Sequence, residues 1–356
     1  MIQYCEFDFF EVGESGSGDA IAIRYADDYG QVCIHVVDGG YEADGPKIAT
    51  HIRTHYGNPS RIDNVILTHP DGDHAAGLKT ILEEFEIGVL WMNRPWLHLD
   101  ALLPAFSYQY TPDGLTQRLR KNFPHTAALE AIALRKGIPI YSAFQDTQID
   151  AFTVLTPSYG RYIDLIVESE KTPEPKRKAF YEGTHFENVV VAIKRRAAQW
   201  GFEALKGDTD GTSAENETSV VQYAEMCGKK ILLTGDTGVQ GLEEAYNFAV
   251  HSGVVLPGVD LFDVPHHGSR RNLSSDILDK WLGQKHLFPP TNSSYTAIMS
   301  ANRNDADHPR PSVVRALKHR GGKVYQPKGV LHQPYNAPDR GWTAADELDY
   351  PTEVED

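Results

Sequence analysis

Val65-Ile66-Leu67-Thr68-His69-Pro70-Asp71-Gly72-Asp73-His74 sets an apolar run directly against a turn that carries four potential metal ligands within six residues. The apolar half reads as a buried strand. Ala76, Leu78, Ile81, Leu82 and Phe85 follow it at helical spacing. A loop at a strand's end can fold its side chains around a cation, and imidazole nitrogens with carboxylate oxygens make a borderline to hard donor set. Gly72 is expected to permit the tight turn that this folding needs. Strand, ligand-bearing loop, helix is therefore the unit to seek elsewhere in the chain.

The unit recurs. Upstream, strands are expected over 4–10, 20–25 and 32–37, the last running into Asp38-Gly39-Gly40, with a short helix over 47–56. Downstream, a strand over 88–93 precedes a helical stretch over 100–135 that Pro104, Pro112 and Pro124 are expected to break. Strands resume over 152–155, 189–193, 219–223 and 230–233, and the polar residues between Ser158 and His185 read as loop. Ile231-Leu232-Leu233-Thr234 then runs into Gly235-Asp236 and a helix. A strand over 259–264 runs into Pro265-His266-His267-Gly268-Ser269 and a helix, and one over 296–299 precedes a helix from Pro311. Two such halves predict an α/β fold in which two β-sheets pack face to face with helices outside, an αββα sandwich. One domain over 1–336 is expected, with a helical insertion at 100–137 and a loosely held acidic tail at 337–356.

The His69 motif resembles the H-x-H-x-D-H signature of the metallo-β-lactamase superfamily, with Asp71 at the place of the second histidine. That aspartate is similar to the one in the branch that includes the soluble hydrolase domain of the competence protein ComEC. Further landmarks of that branch stand here in order. They are Phe10-Glu11-Val12-Gly13 with Gly18-Asp19-Ala20, Val37-Asp38-Gly39-Gly40, Asn216 with Ser219, Leu233-Thr234-Gly235-Asp236, Val264-Pro265-His266-His267-Gly268-Ser269, and Asp307-His308-Pro309. The resemblance runs from about Phe9 to about Leu317.

It implies two divalent metal ions, zinc or manganese, with magnesium as a further option. By position, His69 and Asp71 would hold one, Asp73 and His74 the other, with Asp236 bridging and His267 completing the second. Asp73, His266 and His308 are the residues implied to act in the reaction, and which of His266 and His267 is the ligand stays open. Asp38 is expected to support the metal loop from behind, as carboxylates do behind ligating histidines. Asn216 and Ser219 are expected beside it, although both also suit turns on their own account. The family's third-motif histidine has no counterpart, since Glu215-Asn216-Glu217-Thr218-Ser219 stands there; His185 is a remote candidate. The first ion's surroundings are thus oxygen-rich, which favours manganese or magnesium more than an all-histidine set would. Two such ions roughly 3.5–4 Å apart would share a water and present it as hydroxide to an electrophile.

The 356 residues carry 34 Lys and Arg against 49 Asp and Glu, a net charge of -15, which disfavours tight, sequence-indifferent nucleic-acid binding. Eight bases against four acids over 171–206, and eleven against four over 270–328, leave room for a local basic groove. Arg270 and Arg271, directly after the histidine pair, are candidates for clamping a phosphate. Three scattered cysteines, no apolar run long enough for a bilayer, and a start without signal-peptide features predict a cytoplasmic protein without membrane contact. Neither a nucleophile-elbow serine motif nor a phosphate-binding glycine loop is visible. A metal-dependent hydrolase of phosphodiester bonds, a nuclease or phosphodiesterase, is the leading expectation, with nucleic acid as one form of substrate. Hydrolysis of an ester, thioester, lactone or amide is the alternative. A non-catalytic, metal-containing component of a bacterial multi-protein system, with a protein partner, is the second.

Overall fold

A computed structural model describes residues 2–106, 110–172 and 200–354. The strand expected over 189–193, the bases Lys176, Arg177 and Lys178, and His185 lie outside the described residues. The strands are β1 (Ile2–Phe10), β2 (Ile21–Asp27), β3 (Val32–Val37), β4 (Arg61–Ile66), β5 (Glu86–Trp91), β6 (Ile140–Tyr141), β7 (Gln148–Ile149), β8 (Phe152–Thr156), β9 (Val221–Met226), β10 (Lys229–Leu233), β11 (Leu261–Asp263), β12 (Tyr295–Ile298), β13 (Gly322–Tyr325) and β14 (Val330–Tyr335). They form two seven-stranded sheets, ordered β14-β1-β2-β3-β4-β5-β6 and β13-β12-β11-β10-β9-β8-β7. Each sheet meanders antiparallel first and then proceeds by parallel crossovers, from β3 to β6 in one and from β10 to β13 in the other.

Period-two alternation sends one set of side chains to each face. Cys5, Phe7 and Phe9 of β1, Ile21 and Ile23 of β2, and Ile231 and Leu233 of β10 fill the core between the sheets. Phe10, Ala22 and Leu232 point outward under helices. Gly45–His55, Leu78–Glu84 and Pro124–Lys136 cover one sheet, and Val239–His251, Ser275–Leu282 and Pro311–His319 the other. The result is the αββα sandwich.

Three expectations are corrected. The stretch read as loop after Ser158 contains the helix Tyr159–Glu168. Ser158 caps it by accepting from the Arg161 N–H at 3.4 Å, and Tyr162, Leu165 and Ile166 bury one face. The helical stretch over 100–135 is divided at its prolines as expected, with Pro112 and Pro124 each opening a new helix, because a first-turn residue needs no N–H donor. Gly72 opens a short helix, and a Cβ there would approach the His125 Nε2 to 3.0 Å, so room for that ring is its local requirement. The tail is docked: Arg340 reaches Glu6 at 2.9 Å and Asp8 at 3.1 Å, the Leu348 N–H donates to the Val324 carbonyl, and Tyr350 stacks on Trp200.

A buried network ties residue 203 to the last outer helix. Glu203 accepts from His319 Nδ1 at 2.9 Å and from Arg320 Nη1 at 2.8 Å. Burial opposes the charge, but His319 and Arg320 outweigh it and hold the carboxyl at about 2, below its ordinary 4.5. A depressed carboxyl stabilises the fold above its unfolded value, and that stability is lost as pH falls toward the folded one. Glu203→Gln is therefore expected to cost about 3 kcal/mol at neutral pH, and the gap to wild type should shrink below pH 4.5. Urea midpoints across that range are the measurement. A pH-independent gap would remove the charge from the account.

Candidate metal centre

The parallel halves of both sheets bring their carboxyl ends to one edge. Asp38 follows β3, Thr68 and His69 follow β4, Asp236 follows β10, and His266 and His267 follow β11. Gly235, at φ 52°, lets this turn pass Thr68, whose Oγ1 an added Cβ would meet at 3.0 Å. Asp38, His266 and His267 also have positive φ, at 56°, 50° and 57°. Such angles are unfavourable for residues with a Cβ, and their concentration at one edge marks backbone held in place by its surroundings.

The outer nitrogens of the rings are anchored. His74 Nδ1 donates to Asp38 Oδ2 at 2.7 Å. The Thr68 hydroxyl donates to the same oxygen at 2.6 Å and lies 3.1 Å from His69 Nδ1, so it accepts the His69 proton and passes that anchorage to Asp38 as well. His267 Nδ1 stands 3.5 Å from Asp19 Oδ1, and His266 Nδ1 lies 3.0 Å from Asn272 Oδ1 and 3.1 Å from Asn216 Nδ2. Each Nε2 is left facing inward. Around Asp236 they stand at 3.2 Å (His74), 3.7 Å (His69), 3.7 Å (His266) and 3.9 Å (His267). Asp73 Oδ2 lies 3.7 Å from His267 Nε2 and 4.0 Å from His74 Nε2.

These inward atoms test the fit to a metal. The Nε2 atoms of His69, His74 and His267 and the Asp236 Oδ1 are buried without a hydrogen-bond partner. A buried polar atom without a partner is costly, and several that converge on one carboxylate fit a divalent cation. The electrostatics agree. Burial opposes charging of His74 and His267, but Asp236 outweighs it, with Asp38 for the first and Asp19 for the second. His74 is held well above the ordinary imidazole value and His267 at about 10. Burial likewise opposes the charge on Asp236, and His74, His266 and His267 hold its carboxyl well below the usual range. His69 is pushed down by burial first and by His74 next, which keeps its ring neutral.

Residues 29–164 match the family model of the metallo-beta-lactamase superfamily. Over these residues the chain is similar to that superfamily. The chain is also similar to ComE operon protein 3 of Bacillus subtilis (strain 168), 25% identical over 168 residues. That match covers 45% of this chain and 19% of the relative's length. Among solved structures, a new diphosphatase from the PhnP family is 11% identical, with 94% of this chain and 99% of that one covered at a TM-score of 0.41. A metallo-beta-lactamase from Cronobacter sakazakii, a motif mutant, is 13% identical, with 67% and 68% covered at 0.28.

The shared sheet edge gathers His69, Asp73, His74, Asp236, His266 and His267, with Asp38 behind them. Ser219 accepts from the Asp236 N–H at 3.1 Å. His308 lies at the rim, stacked on His266 with ring centres 5.7 Å apart and 3.3 Å from Asp305. Asp71 sits farther out, 3.9 Å from His69 Nε2 and bonded to Lys171 Nζ at 2.6 Å.

Two residues were missed. Asp19 is buried against His267 and His74, and Gly18-Asp19 was noted only as a landmark. Asn272 holds His266 and donates to the Asp236 carbonyl at 2.8 Å, and no motif flagged it.

The expected basic patch over 270–328 disperses. Arg315 and Arg320 are buried, while Arg303, Arg310, Lys280, Lys285, Lys318 and Lys328 pair with Glu11, Asp307, Glu243, Glu203, Glu347 and Asp346. Apart from Asp307, these partners come from outside the stretch over which the charges were summed. Arg271 is exposed and leans toward Asp210 at 3.9 Å, and the Arg270 carbonyl accepts from the Lys206 N–H. Among the described residues no helix is long and apolar enough to cross a membrane.

Proposed function

We propose that this metallo-beta-lactamase domain hydrolyses phosphodiester bonds with two divalent cations, manganese or zinc. The convergence of four inward Nε2 atoms on the Asp236 carboxylate carries the reading. Asp73, His74 and His267 would hold one ion, His69 and Asp71 the other, and Asp236 both. When bound, the cations supply Lewis acidity and lower the pKa of water at that point.

The chain's own residues do the rest. Asp38 and Asp19 fix the rings so that lone pairs face the centre. Asp73, half-buried at the open side, is placed to accept a proton. His266 Nε2 and the neighbouring His308 are placed to donate to charge developing on a substrate oxygen. Lys171 beside Asp71 and the exposed Arg271 favour an anionic substrate. Oxygen ligands at Asp71 and Asp236 weight the first position toward manganese. The net charge of -15 restricts a nucleic-acid substrate to weak, salt-sensitive contact near the centre.

A panel of a bis-aryl phosphodiester, single-stranded and double-stranded oligonucleotides, and carboxylic esters, thioesters and lactones, each with Mn²⁺, Zn²⁺ or Mg²⁺, tests this. Chelator-sensitive cleavage confined to phosphodiesters is expected. Cleavage of carbonyl substrates alone would replace the substrate class, and bound metal with no turnover would favour a non-catalytic component of a larger assembly.

A further inference from the structure

Cys33 and His35 lie in β3, toward the end away from Asp38, and Asp150 lies in the turn between β7 and β8. Their ligand atoms form a near-equilateral triangle. Cys33 Sγ to His35 Nε2 is 3.3 Å, Cys33 Sγ to Asp150 Oδ2 is 3.2 Å, and His35 Nε2 to Asp150 Oδ2 is 3.3 Å. Zinc bonds of about 2.3 Å to sulfur and about 2.0–2.1 Å to nitrogen and oxygen put the corners of a tetrahedral face about 3.3–3.6 Å apart. We propose that Cys33, His35 and Asp150 bind a single borderline divalent cation, zinc before manganese, at a site separate from the candidate metal centre.

The surroundings prepare the ligands. Asn64 Oδ1 accepts from Trp91 Nε1 at 2.7 Å, which turns its NH₂ toward His35 Nε2 at 2.9 Å and Asp150 Oδ2 at 2.6 Å. The Tyr25 hydroxyl stands 3.1 Å from the same Nε2. In the tautomer with its proton on Nδ1, His35 presents its Nε2 lone pair to the triangle, while Asn64 holds the Asp150 carboxylate in place. A cation there takes the place of the Cys33 thiol proton, which leaves to solvent on binding.

Asp150 holds φ at 51°, a left-handed conformation that aims its carboxylate back at β3. An open cleft of about 510 Å³, lined in part by Cys33, Asn64 and Asp150, gives entry and a place for a water ligand. Because β3 belongs to one sheet and the β7–β8 turn to the other, the ion clips the sandwich together at this edge.

Cobalt distinguishes the two sites, because only a thiolate ligand produces a sulfur-to-cobalt charge-transfer band in the near ultraviolet, and the candidate centre contains no cysteine. Co²⁺ titration of the full chain is expected to raise that band in wild type and in Asp236→Asn. Cys33→Ser should abolish it, lower bound Zn²⁺ by about one ion per chain and leave hydrolysis unchanged. Asp150→Asn, at a half-exposed position, should weaken the Co²⁺ titration by roughly tenfold or more without a loss of folding. No band in wild type, or an equal band in Cys33→Ser, would overturn the proposal.

Discussion

Asp236→Asn is expected to lower turnover by about 10³-fold or more, about 4 kcal/mol of barrier, and to strip most of the metal from the purified protein. The reason is the number of partners that one carboxylate serves. Its Oδ1 faces His74 and His267, and its Oδ2 faces His69 and His266. An amide has almost the same shape but offers one weakly basic oxygen and a nitrogen that repels a cation, so it can serve at most one side of the site. The exchange should spare the fold, because the backbone anchors of this turn persist: the residue's N–H on Ser219 and its carbonyl on Asn272. Metal analysis joined to initial rates on a phosphodiester is the measurement, with circular dichroism as the control. Full metal content with turnover within about tenfold of wild type would mean that residue 236 does not bridge, and the ligand set would have to be redrawn.

Most of the site was legible because its residues sit beside strongly patterned strands. The apolar runs before His69, Asp236 and His266 predict strands whose ends lie at one edge, and the structure has them there. Asp19 escaped because its role depends on a contact with His267, 248 positions away in the chain, and no local pattern encodes that. Asn272 escaped for a related reason, since asparagine after a turn has an ordinary explanation in the turn itself.

The helix Tyr159–Glu168 was hidden by polar neighbours. Its apolar face is short, and it is completed by a cluster from distant parts of the chain that includes Trp96, Phe106, Leu119 and Phe123. The basic stretch misled because charge was summed along the chain, whereas pairing is decided in space, as Arg303 with Glu11 and Lys318 with Glu347 show. Among the described residues, His266 is the neighbour of Asp236 that could replace the third-motif histidine. That puts unusual weight on the histidine pair.

His267→Ala and His266→Ala are expected to separate that pair. His267 is buried, with its Nδ1 turned to Asp19 at 3.5 Å and its Nε2 without a hydrogen-bond partner. Its Nε2 stands between Asp73 and Asp236, at 3.7 and 3.9 Å. On the proposed ligand set its removal would take a ligand from the ion assigned to His74, so bound metal should fall by about one ion per chain and turnover by about 10³-fold. His266 is partly exposed, its Nδ1 is occupied by Asn272 and Asn216, and its ring stacks on His308 at the mouth. A ring held this way can present Nε2 to a substrate oxygen while contributing little to metal retention. His266→Ala should therefore keep both ions and lose about 10²-fold in turnover, the range for one well-placed donor to developing charge. The loss should fall on kcat more than on KM, since the interaction strengthens only as charge develops. If His266→Ala loses an ion as His267→Ala does, His266 is the replacement for the family's missing histidine. The first position is then less oxygen-rich than its sequence implies, and zinc gains over manganese there.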